Sequence, residues 1–275
     1  MVWRGRTAHV PPLLSRRKLR NGDPSETLVT SRFRAGKIQM RHHYGQPYRK
    51  PQVFTNQAIP VAETLRFPRG VRFARKDEIP HCTDEILDRI ANASITTGFT
   101  TKASKDNGYS AYVEANIHAD ELWTAFESLA HGLLPPVAAP IIGFKGSEPT
   151  LGPYTDKCAA LSALRPHKDL LQHDGFIEFG LIFQLHGHTE EIFVESSKYM
   201  QIWTNQREIA ETTLIAMRIP PVHLLHFLDE FPHVTERLPE DPNTDETIAD
   251  IVRSFADLPA RPFPAAGLPS DPKLS

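Results

Sequence analysis

The chain has 275 residues, of which 40% are apolar, enough for a substantial core in one large or two small domains. Its formal net charge of −2 conceals a reversal, because residues 1–76 hold 17 Lys and Arg against 3 acidic residues while residues 77–275 hold 14 against 30. No run approaches the roughly 18 apolar residues of a membrane span, no apolar signal core opens the chain, and two distant cysteines exclude a disulfide framework or a zinc ribbon, which points to a cytoplasmic protein with buried thiols and no membrane partner.

From Met1 to Pro60 neither a period of two nor one of 3.6 persists, and Pro11-Pro12, Gly22, Pro24, Gly36, Gly45, Pro47 and Pro51 interrupt every attempt. Residues 1–79 therefore read as a basic, largely disordered leader, 80–258 as an acidic folded domain, and 259–275, with five prolines, as a disordered tail.

Thr83 before Asp84 and Glu85 predicts a capped helix with a buried stripe of Ile86, Leu87 and Ile90. A polar loop through Gly98 and Gly108 precedes a half-buried strand, in which Val113, Ala115 and Ile117 alternate with Glu114, Asn116 and His118. Asp120 opens a helix whose core stripe is Leu122, Trp123, Phe126, Leu129, Ala130 and Leu133, closed by Pro135-Pro136. Residues 137–144 read as a strand that Pro140 assigns to an edge, and Asp156 to Leu164 as a helix broken by Pro166.

The alternation of Ile177, Phe179, Leu181, Phe183 and Leu185 with Glu178, Gly180 and Gln184 is the strongest strand signal. A turn at His186-Gly187-His188-Thr189, a return through Ile192 to Glu195, a turn to Lys198 and a strand from Tyr199 to Trp203 make a three-stranded antiparallel meander. Asn205 with Glu208 reads as a capping box, Pro221 as the first residue of a helix carrying His223 and His226, and Asn243 with Glu246 as the cap of a last helix through Phe255. The order predicts an α+β fold: an antiparallel or mixed sheet containing the meander, with helices mainly on one face.

No complete catalytic motif is present, neither GxSxG nor a phosphate loop ending in GKS or GKT, and no cofactor is expected. The run Gly143, Gly146 and Gly152 before a helix lacks that ending, and Asp156 places a carboxylate where a phosphate would sit. His186 and His188, flanking a Gly, are the candidate metal ligands of an alternative metal-dependent hydrolase, provided a third ligand converges. The clustered Lys and Arg of residues 1–76, with Tyr44 and Tyr48, offer a second alternative, nucleic-acid binding through the leader. Glu178, Glu190, Glu191 and Glu195, beside Tyr199 and Trp203, form an acidic surface rimmed by aromatics, suited to a basic protein partner.

The run His173 to Gly180, then Glu190 to Glu195, then Lys198-Tyr199 and Gln201 to Trp203, resembles the immunity proteins that guard bacteria against secreted polymorphic toxins, over residues 108–238. That resemblance implies a small, acidic, cytoplasmic α+β inhibitor that plugs the basic active site of a toxin. The basic leader departs from it.

Overall fold

A computed structural model describes residues 60–105, 108–238, 250–254 and 257–261. Its strands are β1 (Val71–Phe73), β2 (Gly98–Ala103), β3 (Ala111–Asn116), β4 (Val137–Phe144), β5 (Thr150–Leu151), β6 (Thr155–Asp156), β7 (Ile177–Leu185), β8 (His188–Val194), β9 (Met200–Thr204) and β10 (His233–Thr235). Its helices are α1 (Asp84–Ala91), α2 (Leu122–Leu133), α3 (Lys157–Leu164), α4 (Lys168–His173) and α5 (Arg207–Ala216). The main sheet runs β2-β3-β9-β8-β7-β4-β5, with β6 on the other end of β4, and every strand pair in it is antiparallel. This is the α+β class read from the sequence, and β7-β8-β9 is the meander. Among the described residues no helix is long and apolar enough to cross a membrane.

The two meander turns are built differently. His186 and Gly187 both have positive φ, 47° and 79°, and Leu185 pairs directly with His188, so the link is a two-residue turn whose twist matches the strands. His188 thus belongs to β8. The second link places Lys198 at φ 61°, with Lys198 N donating to Glu195 O at 2.9 Å and Glu195 N donating to Tyr199 O at 3.2 Å. A left-handed position usually takes Gly or Asn. Here the Lys198 side chain is held inside, its Nζ donating to Ile177 O at 2.5 Å and lying 5.8 Å from the Phe179 ring, and burial lowers its pKa to about 7 against the opposing pull of Asp174 and Glu178.

The core lies between one face of the sheet and the helices. Phe126 and Trp123 of α2 meet Phe179 of β7, with Phe126 and Phe179 ring centroids 4.9 Å apart and edge to face. Each such ring contributes roughly 1.5–3 kcal/mol by burial. Leu161 and Leu164 of α3, Leu171 of α4, Ala210 and Leu214 of α5 and Ile251 of the helical residues 250–254 complete this side. Lys157 ties two helices together, since its Nζ donates to Leu134 O at 2.6 Å and His131 O at 3.1 Å, the carbonyls that end α2. Asp156 caps α3 by accepting from the backbone of Cys158 and Ala159, so the carboxylate fills the anion position of the glycine-rich approach.

Several sequence expectations are corrected. Residues 60–79, assigned to the leader, join the body: β1 pairs with β10, Val71 is buried, and Leu65 N donates to Ile95 O. Gly98–Ala103, read as loop, is the strand at one end of the sheet, where Thr-rich polar sequence is tolerated because its outer side has little to pack on. Strand β4 is one strand in from the other end; Pro140 falls between the short stretches that pair with β6 and β5, where its missing N–H costs no ladder bond. Asp120 pairs with Arg66 at 3.0 Å, and α2 begins after Glu121. Gln206 precedes α5, while the Asn205 side chain donates to Gly108 O.

Residues 221–227 form no helix. Pro220 O and Val222 N bond the Phe99 backbone instead, drawing this segment along β2. The α1 stripe of Ile86, Leu87 and Ile90 is half-buried, Cys82 is half-buried and Cys158 is exposed. The Asn243–Glu246 cap, Ile248, Phe255, residues 1–59 and the tail from 262 lie outside the described residues.

Candidate partner-binding face

Because side chains alternate along a strand, each strand of the main sheet offers one face to the helices and one to the opposite side. Ile177, Phe179 and Leu181 of β7, Ile192 and Val194 of β8 and Met200 and Ile202 of β9 take the helix side. The register then fixes the rows of the other face. One row runs Ala139, Ile182, Glu191, Trp203, Tyr112, Lys102, and the next Ile141, Gly180, Phe193, Gln201, Glu114, Thr100. None of α2 to α5 packs its core residues on this face, whose cluster is drawn from Tyr109, Ala139, Ile141, Ile182, Phe193 and Trp203, with Tyr112, Leu151 and Tyr154 against it.

Each row carries one carboxylate with aromatic rings beside it: Glu191 next to Trp203 and Tyr112 in the first, Glu114 two places from Phe193 in the second. Tyr112 and Trp203 rings lie 5.2 Å apart at 39°. Glu114 accepts from Tyr112 Oη at 3.0 Å and pairs with Lys102 Nζ at 2.9 Å. Glu191 is 1% exposed and Trp203 2% exposed, and burial together with the nearby Glu191 charge raises the Tyr154 pKa. Among the described residues, the buried Trp203 Nε1 meets no hydrogen-bond acceptor. Gly180 lets the second row pack closely, since a Cβ there would stand 2.5 Å from Ile192 O and 3.0 Å from the Phe193 ring.

The six residues proposed from sequence do not form one surface. Glu191 and Trp203 are cross-strand neighbours on the helix-free face. Glu178, opposite Gly143 in the register, is on the same face nearer the sheet end, and Glu195 lies in the β8-β9 turn. Tyr199 shares the face, but Phe227, with centroids 4.8 Å apart, and Leu225 pack over it, and its hydroxyl accepts from Gln201 Nε2 at 3.0 Å. Glu190 is a correction. It points to the helix side, where it accepts from Thr204 Oγ1 and from Asn205 N at 3.1 Å and pairs with His188 Nε2 at 3.1 Å; burial raises its pKa while those hydrogen bonds lower it. It holds the entry to α5 and is no part of a binding face. The reading of these acids as a solvated surface fails for Glu190 and Glu191, both 1% exposed.

Sequence reasoning missed Tyr112, Glu114, Phe193 and Tyr154. The signal for two of them was present, since Tyr112 and Glu114 are two residues apart and therefore share a face, but Glu114 read as a solvent-side acid.

His186 is exposed at the turn tip and His188 is engaged by Glu190. Among the described residues no group of three or more His, Cys, Asp or Glu side chains is placed to hold a metal ion, so the hydrolase alternative lacks its third ligand there. Of the basic residues in 60–76, Arg66 pairs with Asp120, Arg69 with Asp169, and Arg72 with Glu78 and Glu236. Those three are committed to the body and do not form a phosphate-tracking strip; the rest of the nucleic-acid alternative falls on residues 1–59. Comparison with models of known protein families, with curated proteins and with solved structures finds no match to this chain.

Proposed function

We propose that this chain is a non-enzymatic protein-binding module, most concretely an inhibitor of the immunity type for a basic partner such as a toxin, and that the helix-free sheet face is its binding surface. One observation carries the reading: Glu114 and Glu191 sit among Tyr112, Tyr154, Phe193 and Trp203 on a single face. Rings next to carboxylates suit a guanidinium, which pairs with the acid and stacks on the ring in one pose. From residue 60 onward the chain holds 31 acidic residues against 19 Lys and Arg, a field that draws a basic partner toward the face.

Affinity capture from the native host with the full chain as bait tests this, run beside the Glu191→Gln and Trp203→Phe variants. Basic proteins are expected on the wild type at low salt, released at about 0.5 M NaCl where screening shortens the Debye length to roughly 4 Å. They are expected to be depleted from both variants. Equal capture by the variants, or retention insensitive to salt, removes the face from the function.

A further inference from the structure

We infer that the outer edge of β2 is a docking site for an extended segment of a partner protein, which joins the main sheet as a further strand bonded to Thr101 and Ala103. The inference goes beyond the proposed function, since it concerns the rim of the sheet and not its helix-free face. Strand β2 ends the sheet order, with β3 on its inner side. On its outer side Phe99 N donates to Pro220 O at 2.9 Å, and Val222 N donates to Phe99 O at 2.8 Å. The N–H and C=O of Phe99 therefore point outward, and those of every second residue along the strand point the same way. Thr101 and Ala103 thus turn their backbone groups to the outer edge. Ser104 N, donating inward to Ser110 O at 2.8 Å, keeps the alternation. Among the described residues no backbone group answers Thr101 or Ala103 on that side. Such a row of unpaired donors and acceptors is a template for another strand.

The edge is open because the chain beside it leaves. Residues 220–222 run parallel to β2 through the bridge of Pro221 with Phe99, and no bridge to β2 follows it. Between this segment and α5 lies a groove of about 480 Å³, lined by Phe99, Thr101, Pro221 and Val222 together with Arg207 and Glu211 of α5. That volume falls within the roughly 300–1,000 Å³ of ligand pockets. Thr101 shares its face with Phe99 and with Val113 opposite, both in the helix-side core, so a residue paired with Thr101 directs its side chain to the groove. Among the described residues the buried Thr101 Oγ1 meets no hydrogen-bond partner. A hydroxyl or amide side chain across the strand supplies one. Arg207 and Glu211 pair with each other at 2.8 Å and ask for no charge. The occupant is therefore extended, without proline at the bonding positions, and polar but uncharged opposite Thr101.

A second copy of this chain does not fit the edge. Two-fold pairing of Thr101 with Ala103 of the copy sets residue 105 against the copy's Phe99, the place that Pro221 already holds. It also sets Lys102 against Lys102, a like-charge pair. Pairing Thr101 with Thr101 brings Ala103 itself to the same occupied place, and pairing through Ala103 alone leaves two backbone bonds. A short segment of another protein meets none of these obstacles, because its strand can end beside Val222.

The test titrates the full, 15N-labelled chain with two acetylated and amidated peptides, Ser-Thr-Val-Thr-Val-Thr-Ser and Ser-Asn-Val-Asn-Val-Asn-Ser. At concentrations up to about 1 mM the amide signals of Thr101 and Ala103 are expected to shift, and their hydrogen exchange to slow by roughly tenfold or more. Ala103→Pro removes one outward donor and no bond to β3, and should weaken peptide binding by roughly tenfold or more. Thr101→Val removes only Oγ1 and should weaken it by roughly threefold or more. Unchanged spectra with both peptides, shifts confined to other parts of the chain, or wild-type affinity in the folded Ala103→Pro chain each overturn the inference. Should Ala103→Pro fail to fold, wild-type affinity in Thr101→Val overturns it. Sedimentation of the chain alone as a dimer that Ala103→Pro makes monomeric overturns it in favour of a second copy. Host capture is scored separately: peptide binding without captured basic proteins leaves the edge site standing without the proposed function, and captured basic proteins without peptide shifts leave that function standing without the edge site.

Discussion

Replacing Lys198 by Met keeps the apolar length of the side chain and removes only the buried amine. In the folded state burial lowers that amine from 10.5 to about 7, whereas the unfolded chain keeps the ordinary value. Between those two values the unfolded chain binds a proton that the folded chain does not, so wild-type stability rises with pH through this window. Below about 7 both states carry the proton and the dependence stops. Each pH unit inside the window is worth about 1.4 kcal/mol, and the stability of wild type relative to Lys198→Met therefore rises by about 3 kcal/mol from pH 7 to pH 9.5. Losing the hydrogen bond to Ile177 O adds a constant offset of about 1–3 kcal/mol against the variant, which leaves the slope untouched. Urea unfolding of both proteins at several pH values gives the difference directly, and subtraction cancels the tyrosines and surface lysines they share. A difference that stays flat within about 0.5 kcal/mol across the window refutes the argument and places the amine in water.

Other consequences are equally measurable. Glu190 has its pKa raised by burial, so the folded state holds its proton to higher pH than the unfolded chain and this group's contribution falls as pH rises above 4.5; Glu190→Gln should gain melting temperature relative to wild type as the pH is raised from 4.5. Phe126→Ala opens a cavity between α2 and β7 and should cost about 3–5 kcal/mol in chemical unfolding. Gly180→Ala places a methyl 2.5 Å from the Ile192 carbonyl, so β7 and β8 must part; a drop of more than about 2 kcal/mol is expected, and an unchanged melting temperature would mean the two strands are not paired as described. Trp203→Phe should weaken capture of a basic partner by roughly 30-fold or more if Trp203 anchors the contact.

The parts of the fold legible in the sequence are those whose local pattern and tertiary fate agree. Ile177, Phe179, Leu181 and Phe183 join the core on the helix side as their period demands, and the Leu122 to Leu133 stripe is buried along its length. Legibility fails where a distant partner decides. Residues 221–227 have proline and leucine placed for a helix, yet the Phe99 backbone bonds Pro220 O and Val222 N and holds Pro221 in an isolated bridge instead. The same holds for 71–73, whose partner β10 is more than 150 residues away and invisible to any local window. At the site, the sequence correctly brings Glu191 and Trp203 together through hairpin arithmetic, but grouping Glu190 with Glu191 ignores the alternation that sends consecutive strand residues to opposite faces. Tyr154 reaches the face from the chain between β5 and β6, its hydroxyl receiving Gln184 N at 3.2 Å, which no spacing in the sequence announces.

The charge reversal along the chain divides at a different place once the pairs are known. Arg66, Arg69 and Arg72 lie in the basic part by position, but Asp120, Asp169, Glu78 and Glu236 neutralise them within the body. Exposed or half-exposed pairs of this kind each add only about 0–1 kcal/mol, so their weight is positional: they hold residues 66–72 against the loops and helices of the body. The boundary therefore moves from residue 76 to about residue 60. Upstream of it stand 12 basic residues, downstream an excess of acids, and the exit point lies at the border of the face where buried carboxylates and rings are grouped.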